Sequence, residues 1–218
     1  MSAPAQALPL DSQRAWWLRA VLVLWSPVAV FSALRDESRE AVDARQEPVT
    51  ALVFLAGIAG VLLAPAFGRI FDDFDIDALG LVVIVVFAGS IYGFFGYWLL
   101  GWMLSIGIRA LQVASTSRQC RHVVAFAAAP LVLSLIAVWP LRLALYGGDL
   151  FKSGGADSGT AGQVLRWACV AFAAWSGGLL VVGVRAVRRW SWWRAAAASV
   201  FALGLAAAVL GMWAALAG

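Results

Sequence analysis

Five long apolar runs constrain this chain more than any other feature. They cover residues 49–67, 78–108, 123–146, 164–184 and 195–217, and within them only Arg142 and Arg166 carry charge. A helix that crosses the hydrocarbon core of a bilayer needs about 20 mainly apolar residues. Each run meets that length. The composition leaves no room for a soluble alternative: 63% of the residues are hydrophobic and 13% are charged, against about 45–50% and about 25% in a typical soluble domain. A single core of this size does not hide so much apolar surface from water. A soluble enzyme, a disordered tail and a disulfide-stapled secreted module are therefore excluded. The pattern predicts an all-α integral membrane helical bundle with five transmembrane helices.

The runs differ in character. Residues 78–108 are long for one helix and too short for two with a turn, and Gly89, Gly93, Gly96 and Gly101 offer places to kink or tilt. Residues 123–146 contain Pro130 and Pro140, each of which removes a backbone donor and bends a helix. Ahead of the first run, residues 15–34 are apolar enough to span, but Arg19 interrupts them and Pro27 lies near their middle. Trp16, Trp17 and Trp25 favour the bilayer interface, where an indole N–H stays wet. The segment reads as an interfacial amphipathic helix ending in a Ser26-Pro27 break, with a sixth span as the rival. The organisation expected is a flexible tail over 1–14, an interfacial and juxtamembrane segment over 15–48, and a five-helix domain over 49–217. The first ten residues lack a basic region leading directly into an apolar stretch, so no cleaved signal peptide is expected.

Charge placement orients such a bundle. With five spans, twelve of the fifteen arginines fall on one side, and the acids divide equally, giving net charges of +6 and −2. The positive-inside rule then places the N-terminus in the cytoplasm and the C-terminus outside, in the cell membrane. Cys120 and Cys169 are too few for a disulfide framework and are expected as free thiols. Residues 147–163 hold six glycines and read as a flexible external loop.

Two stretches carry a family resemblance. Ser26-Pro27-Val28-Ala29-Val30-Phe31-Ser32-Ala33-Leu34 resembles the P-x-x-x-F-x-x-L lead-in of the Ypt-interacting-protein (YIP) domain family, with Pro27, Phe31 and Leu34 at its fixed positions. Arg118-Gln119-Cys120-Arg121-His122, running into an apolar stretch that ends at Pro130, is similar to the family's basic loop. The chain departs from the family at Ala114-Ser115-Thr116, where Gly-Gly is frequent. The resemblance implies five spans, a cytosolic N-terminus and a C-terminus on the other face. Eukaryotic members are associated with small GTPases and vesicle traffic, whereas most prokaryotic relatives have no assigned activity.

Four groups of residues are candidates for function. The segment 35–47 alternates charge, with Arg39 and Asp43 at i,i+4 and a thin apolar stripe of Phe31, Leu34, Ala41 and Val42. Arg35, Arg39, Asp43 and Arg45 are accordingly the candidate docking residues for a soluble cytosolic protein. Arg118 and Arg121, with the Trp-rich hairpin bearing Arg185, Arg188, Arg189 and Arg194, are candidate contacts for anionic lipid; nucleic acid is not expected as a partner. Gly89 and Gly93 form a G-x-x-x-G motif, and Gly178 and Gly211 belong to small-xxx-small versions that let helices approach closely. The acidic run Asp72, Asp73, Asp75 and Asp77 reads as a solvated loop, with oxygen ligation of a hard cation as the other reading.

The search for catalysis is negative. Ala174-Trp175-Ser176-Gly177 resembles a serine-protease nucleophile turn without its leading glycine, and the sole histidine, His122, lies in another segment. No phosphate loop, dinucleotide fingerprint or metalloprotease motif occurs. The chain is thus expected to be non-enzymatic, with no cofactor and no resident metal. Its expected role is that of a membrane adaptor or organiser whose partners are the lipid bilayer and a soluble protein or membrane-complex subunit. The competing class is a transporter or lipid-handling subunit for a neutral or lipid substrate.

Overall fold

The computed structural model describes residues 9–64, 67, 70–73, 77–111 and 116–217. Ten α-helices occupy them: α1 Pro9–Leu22, α2 Pro27–Ala33, α3 Arg39–Leu63, α4 Ile70–Asp73, α5 Ala78–Ala110, α6 Ser117–Ala127, α7 Ala129–Ala137, α8 Trp139–Tyr146, α9 Thr160–Arg188 and α10 Trp192–Ala217. Two short 3₁₀ turns, Gly147–Phe151 and Ala156–Ser158, join α8 to α9. Five spans result, with α6, α7 and α8 together making the third. The chain is a multi-pass membrane protein, and the all-α bundle expected from the apolar runs is the observed fold.

Residues 15–34 divide as the Ser26-Pro27 signal implies. The first helix ends at Leu22, and Pro27 opens the second, where its fixed φ suits the first turn and its missing N–H leaves no bond unmade. The tryptophans do not share one environment. Trp17 and Trp25 are exposed, but Trp16 is buried, with its ring 5.7 Å from that of Phe126.

The first span begins earlier than its apolar run. α3 starts at Arg39, capped by the Ser38 hydroxyl, and continues through Pro48 to Leu63 without interruption. Residues 39–48 of the juxtamembrane segment and the first span are therefore one helix of about 37 Å at 1.5 Å per residue. Val42, Arg45, Val49 and Leu52 form a buried stripe at helical spacing that crosses the proline, so packing carries the helix past the missing donor. Phe31 and Leu34 are not part of that stripe. They precede the Ser38 cap, Phe31 on α2 and Leu34 at its end. Between the two helices, Asp36 accepts the Ser38 backbone N–H at 3.0 Å. That bond, helped by the Ser38 side chain, holds the Asp36 carboxyl below its usual range.

The glycines of α5 do not break it, and all 33 residues form one helix of about 50 Å. Two of them instead form a close helix–helix approach with α3. A Cβ on Gly57 of α3 would stand 2.0 Å from the Gly89 carbonyl oxygen and 2.5 Å from the Gly93 Cα. The G-x-x-x-G motif is thus an internal seam between α3 and α5, where small residues let backbones touch. Gly178 plays no such part: open space surrounds the position of its missing Cβ. The surroundings of Gly211 lie outside the described residues. The two prolines of the third span divide it, since α6 is capped at Ala128, two residues before Pro130, and α7 at Val138, two residues before Pro140.

Overpacking the seam is predicted to be costly. Gly57→Val or Gly93→Val should destabilise the bundle by at least about 1–3 kcal/mol, read as an earlier transition in detergent unfolding. Gly96→Ala, where a Cβ would meet nothing within 4 Å, should leave the transition in place.

Candidate functional site at the arginine-rich end

The start of α3, the end of α5, the start of α6, the end of α9 and the start of α10 meet at one end of the bundle, and the family-like lead-in is fastened there. Phe31 and Leu34 are fully buried. Phe31 fills the notch at Gly183, where a Cβ would meet its ring at 2.9 Å. The Gln119 side-chain amide donates to the Leu34 carbonyl at 3.3 Å. Arg35 donates through Nε at 3.1 Å, and through a second guanidinium nitrogen, to the Ala186 carbonyl in the last turn of α9. A helix C-terminus presents unpaired carbonyls and partial negative charge, so a guanidinium there is favourable on both counts. Finally, the Thr116 hydroxyl, which caps α6, donates to Glu37 at 2.6 Å.

The four docking candidates divide accordingly. Arg35 is a clamp on α9. Arg45 is wholly buried: its Nη1 donates to the Asp36 carbonyl at 2.9 Å, and its guanidinium lies 5.5 Å from the Trp16 ring. These two arginines hold the fold and are not presented to a partner. Arg39 and Asp43 are exposed, with side-chain exposures of 97% and 73% and a 4.0 Å approach between them. A pair so solvated contributes little to stability, which leaves both groups available at the surface.

The lipid-contact candidates also divide. Arg118, Arg189 and Arg194 are exposed, whereas Arg121, Arg185 and Arg188 are half-buried. Arg121 stacks over Trp98 at 3.7 Å, and Arg185 over Trp192 at 4.4 Å. Arg189 ends α9 in the left-handed region, at φ 56°. Arg118 and Arg121 line a groove of about 1510 Å³ between α3, α5 and α6, which Arg39, Asp43, Tyr97, Trp98 and His122 also border. The arginines of the α9–α10 hairpin are not on it.

A second charged site, at the opposite end, has no counterpart in the sequence reading. Arg142 and Asp157 form a buried ion pair at 3.0 Å, with Arg166 at 3.5 Å from the same carboxylate oxygen. Arg142 also stacks over Trp139 at 4.5 Å. The glycine-rich loop is therefore anchored at its centre rather than free. Its Ser153 N–H donates to Asp72 at 2.9 Å, and Asp77 caps α5 by accepting the Gly80 N–H at 2.8 Å. Two of the four clustered aspartates thus serve as structural acceptors, while Asp75 lies outside the described residues. Among the described residues no group of three metal-ligating side chains converges, and Cys120 and Cys169 are buried and not joined in a disulfide.

Asp157→Asn should destabilise the protein by about 3–5 kcal/mol, because it leaves the Arg142 charge buried and uncompensated. Arg166→Gln, which removes a largely exposed partner, should change stability by less than about 1 kcal/mol. Thermal unfolding of the detergent-solubilised chain reads both.

The YIP-like lead-in, the basic stretch before Pro130 and the five spans form one connected structure, with the first two packed on the end of α9. No curated protein and no solved structure matches the chain. The family model described as the Yip1 domain matches residues 21–215, nearly the whole chain and both motifs within it, and the protein belongs to that family.

Proposed function

We propose that this protein is a non-enzymatic adaptor or organiser of the cell membrane, which holds a fixed, charged platform at the cytoplasmic face for a soluble protein. The observation that carries this reading is the fastening of the lead-in. Phe31 in the Gly183 notch, Arg35 on the Ala186 carbonyl and Gln119 on the Leu34 carbonyl turn a segment of low intrinsic stability into part of the bundle. The first turns of α3 then project Arg39, Glu40, Asp43 and Glu47 into solvent from a rigid base. A preorganised surface loses less side-chain and backbone freedom on binding, which favours recognition.

The excess of arginine at this end supports a cytoplasmic N-terminus and an external C-terminus, because basic loops are retained on the cytoplasmic side. Two features support a non-enzymatic role. The Ser176 hydroxyl and His122 Nδ1 are buried without hydrogen-bond partners, so neither activates the other. The buried arginines Arg45 and Arg142 are engaged with a backbone carbonyl and a carboxylate respectively, as structural charges are.

The test is affinity purification of the full chain beside a variant with Arg39→Glu and Asp43→Lys, which keeps the local pair and inverts its pattern. A soluble protein recovered with the parent should fall by about tenfold with the variant, a difference of about 1.4 kcal/mol. Equal recovery from both, or recovery of a transporter's ATPase subunit as the main partner, would overturn the adaptor reading.

A further inference from the structure

The groove between α3, α5 and α6 has a polarity gradient along its length. At one end stand Arg39, Asp43, Gln46, Arg118 and Arg121; at the other, Phe54, Ile91 and Phe94. From Arg39 to Phe54 the wall formed by α3 rises about 22 Å at 1.5 Å per residue. Ile91, Phe94, Phe95 and Trp98 are exposed on α5, a spanning helix, so the apolar half opens sideways into the bilayer. A compact polar metabolite does not suit such a trough, whose volume exceeds the roughly 300–1,000 Å³ of ordinary small-molecule sites.

The polar end carries unspent capacity for an anion. Glu37 accepts the Thr116 hydroxyl, and Asp43 faces Arg39. Arg118 makes no ion pair among the described residues, and it stands at i,i+3 from Arg121 on the same helix. Stacking on Trp98 fixes the plane of the Arg121 guanidinium, whose Nε is buried without a hydrogen-bond partner. His122, 2% exposed and lining the groove, likewise has Nδ1 without a partner. Buried polar nitrogens are rarely left unmatched in a finished structure, and guanidiniums match phosphate well.

We propose that the groove seats one anionic phospholipid from the surrounding leaflet, its phosphate held by Arg118 and Arg121 and one chain lying along Phe54, Ile91 and Phe94. The gradient matches the lipid's own order of headgroup and chain. Charge complementarity selects an anionic headgroup over a zwitterionic one. This inference does not depend on the adaptor reading, since it concerns a ligand of the isolated chain.

The experiment is native mass spectrometry of the purified full chain, titrated in detergent with phosphatidylglycerol or with phosphatidylcholine. One phosphatidylglycerol per chain is expected, retained about tenfold more tightly than phosphatidylcholine. Arg118→Glu together with Arg121→Gln should lower phosphatidylglycerol retention by about tenfold. Thr50→Trp, which fills the trough from an exposed position, should lower retention of both lipids. Arg189→Gln with Arg194→Gln, outside the groove, should leave retention within about twofold. Equal retention of the two lipids, or an equal loss from the hairpin pair, would overturn the proposal. If the double groove variant does not fold, as judged by its elution profile, Arg118→Glu and Thr50→Trp decide singly. Unchanged retention in both would overturn it.

Discussion

The backbone contact between Gly57 and the Gly89/Gly93 pair is the interaction on which the rest of the bundle depends. In lipid there is no hydrophobic force to bring helices together, so close packing must do it. A side chain at any of these three positions would collide with the backbone or a side chain of the facing helix. Their absence brings α3 and α5 into contact for much of their length, and the groove opens beside that seam, toward the arginine-rich end. The same contact explains why α5 remains intact despite its glycines. Gly89 and Gly93 are placed for approach, while Leu79, Phe87, Ile91, Phe94 and Trp102 of α5 point outward.

The two ends of the bundle solve the problem of buried charge differently. At the arginine-rich end, Arg45 is surrounded by backbone and aromatic groups, and Arg35 caps a helix terminus. At the other, Arg142 meets a carboxylate in a buried pair. In each case a cation joins separate segments: α3 to the residues before it, α9 to the lead-in, and α8 to the loop that leads into α9. Breaking such a contact leaves an uncompensated charge, which is more damaging than the contact is stabilising. These arginines therefore fix connectivity as much as stability.

Much of the architecture was legible because lipid imposes a simple rule: every backbone polar group must be satisfied within the segment, so long apolar runs become helices. The break before Pro27 and the interruptions at Pro130 and Pro140 follow from local chemistry as well. Pro48 does not interrupt α3, because the buried stripe from Val42 to Leu52 continues the helix that a proline alone would end. The site was harder to read. Arg39 and Asp43 are exposed as their alternation implies, yet Arg35 and Arg45 sit in the same segment and are consumed internally. The helical stripe through Val42, Val49 and Leu52 singles out Arg45, whereas no comparable spacing marks Arg35. Trp98 beneath Arg121, Gln119 on Leu34 and Asp157 on Arg142 are pairings with no local signature, although two acids in a glycine-rich loop beside two span-end arginines offered a faint one.

The central claim is a five-pass bundle whose clamped, arginine-rich end faces the cytoplasm. Single-cysteine variants in a background without Cys120 and Cys169, probed with a membrane-impermeant reagent in intact cells and after permeabilisation, test it most directly. Cysteines replacing Arg14, Arg118 and Arg194 should react only after permeabilisation, and those replacing Asp77 and Ser153 should react in intact cells. Labelling of positions 14 and 153 from the same side would contradict the account.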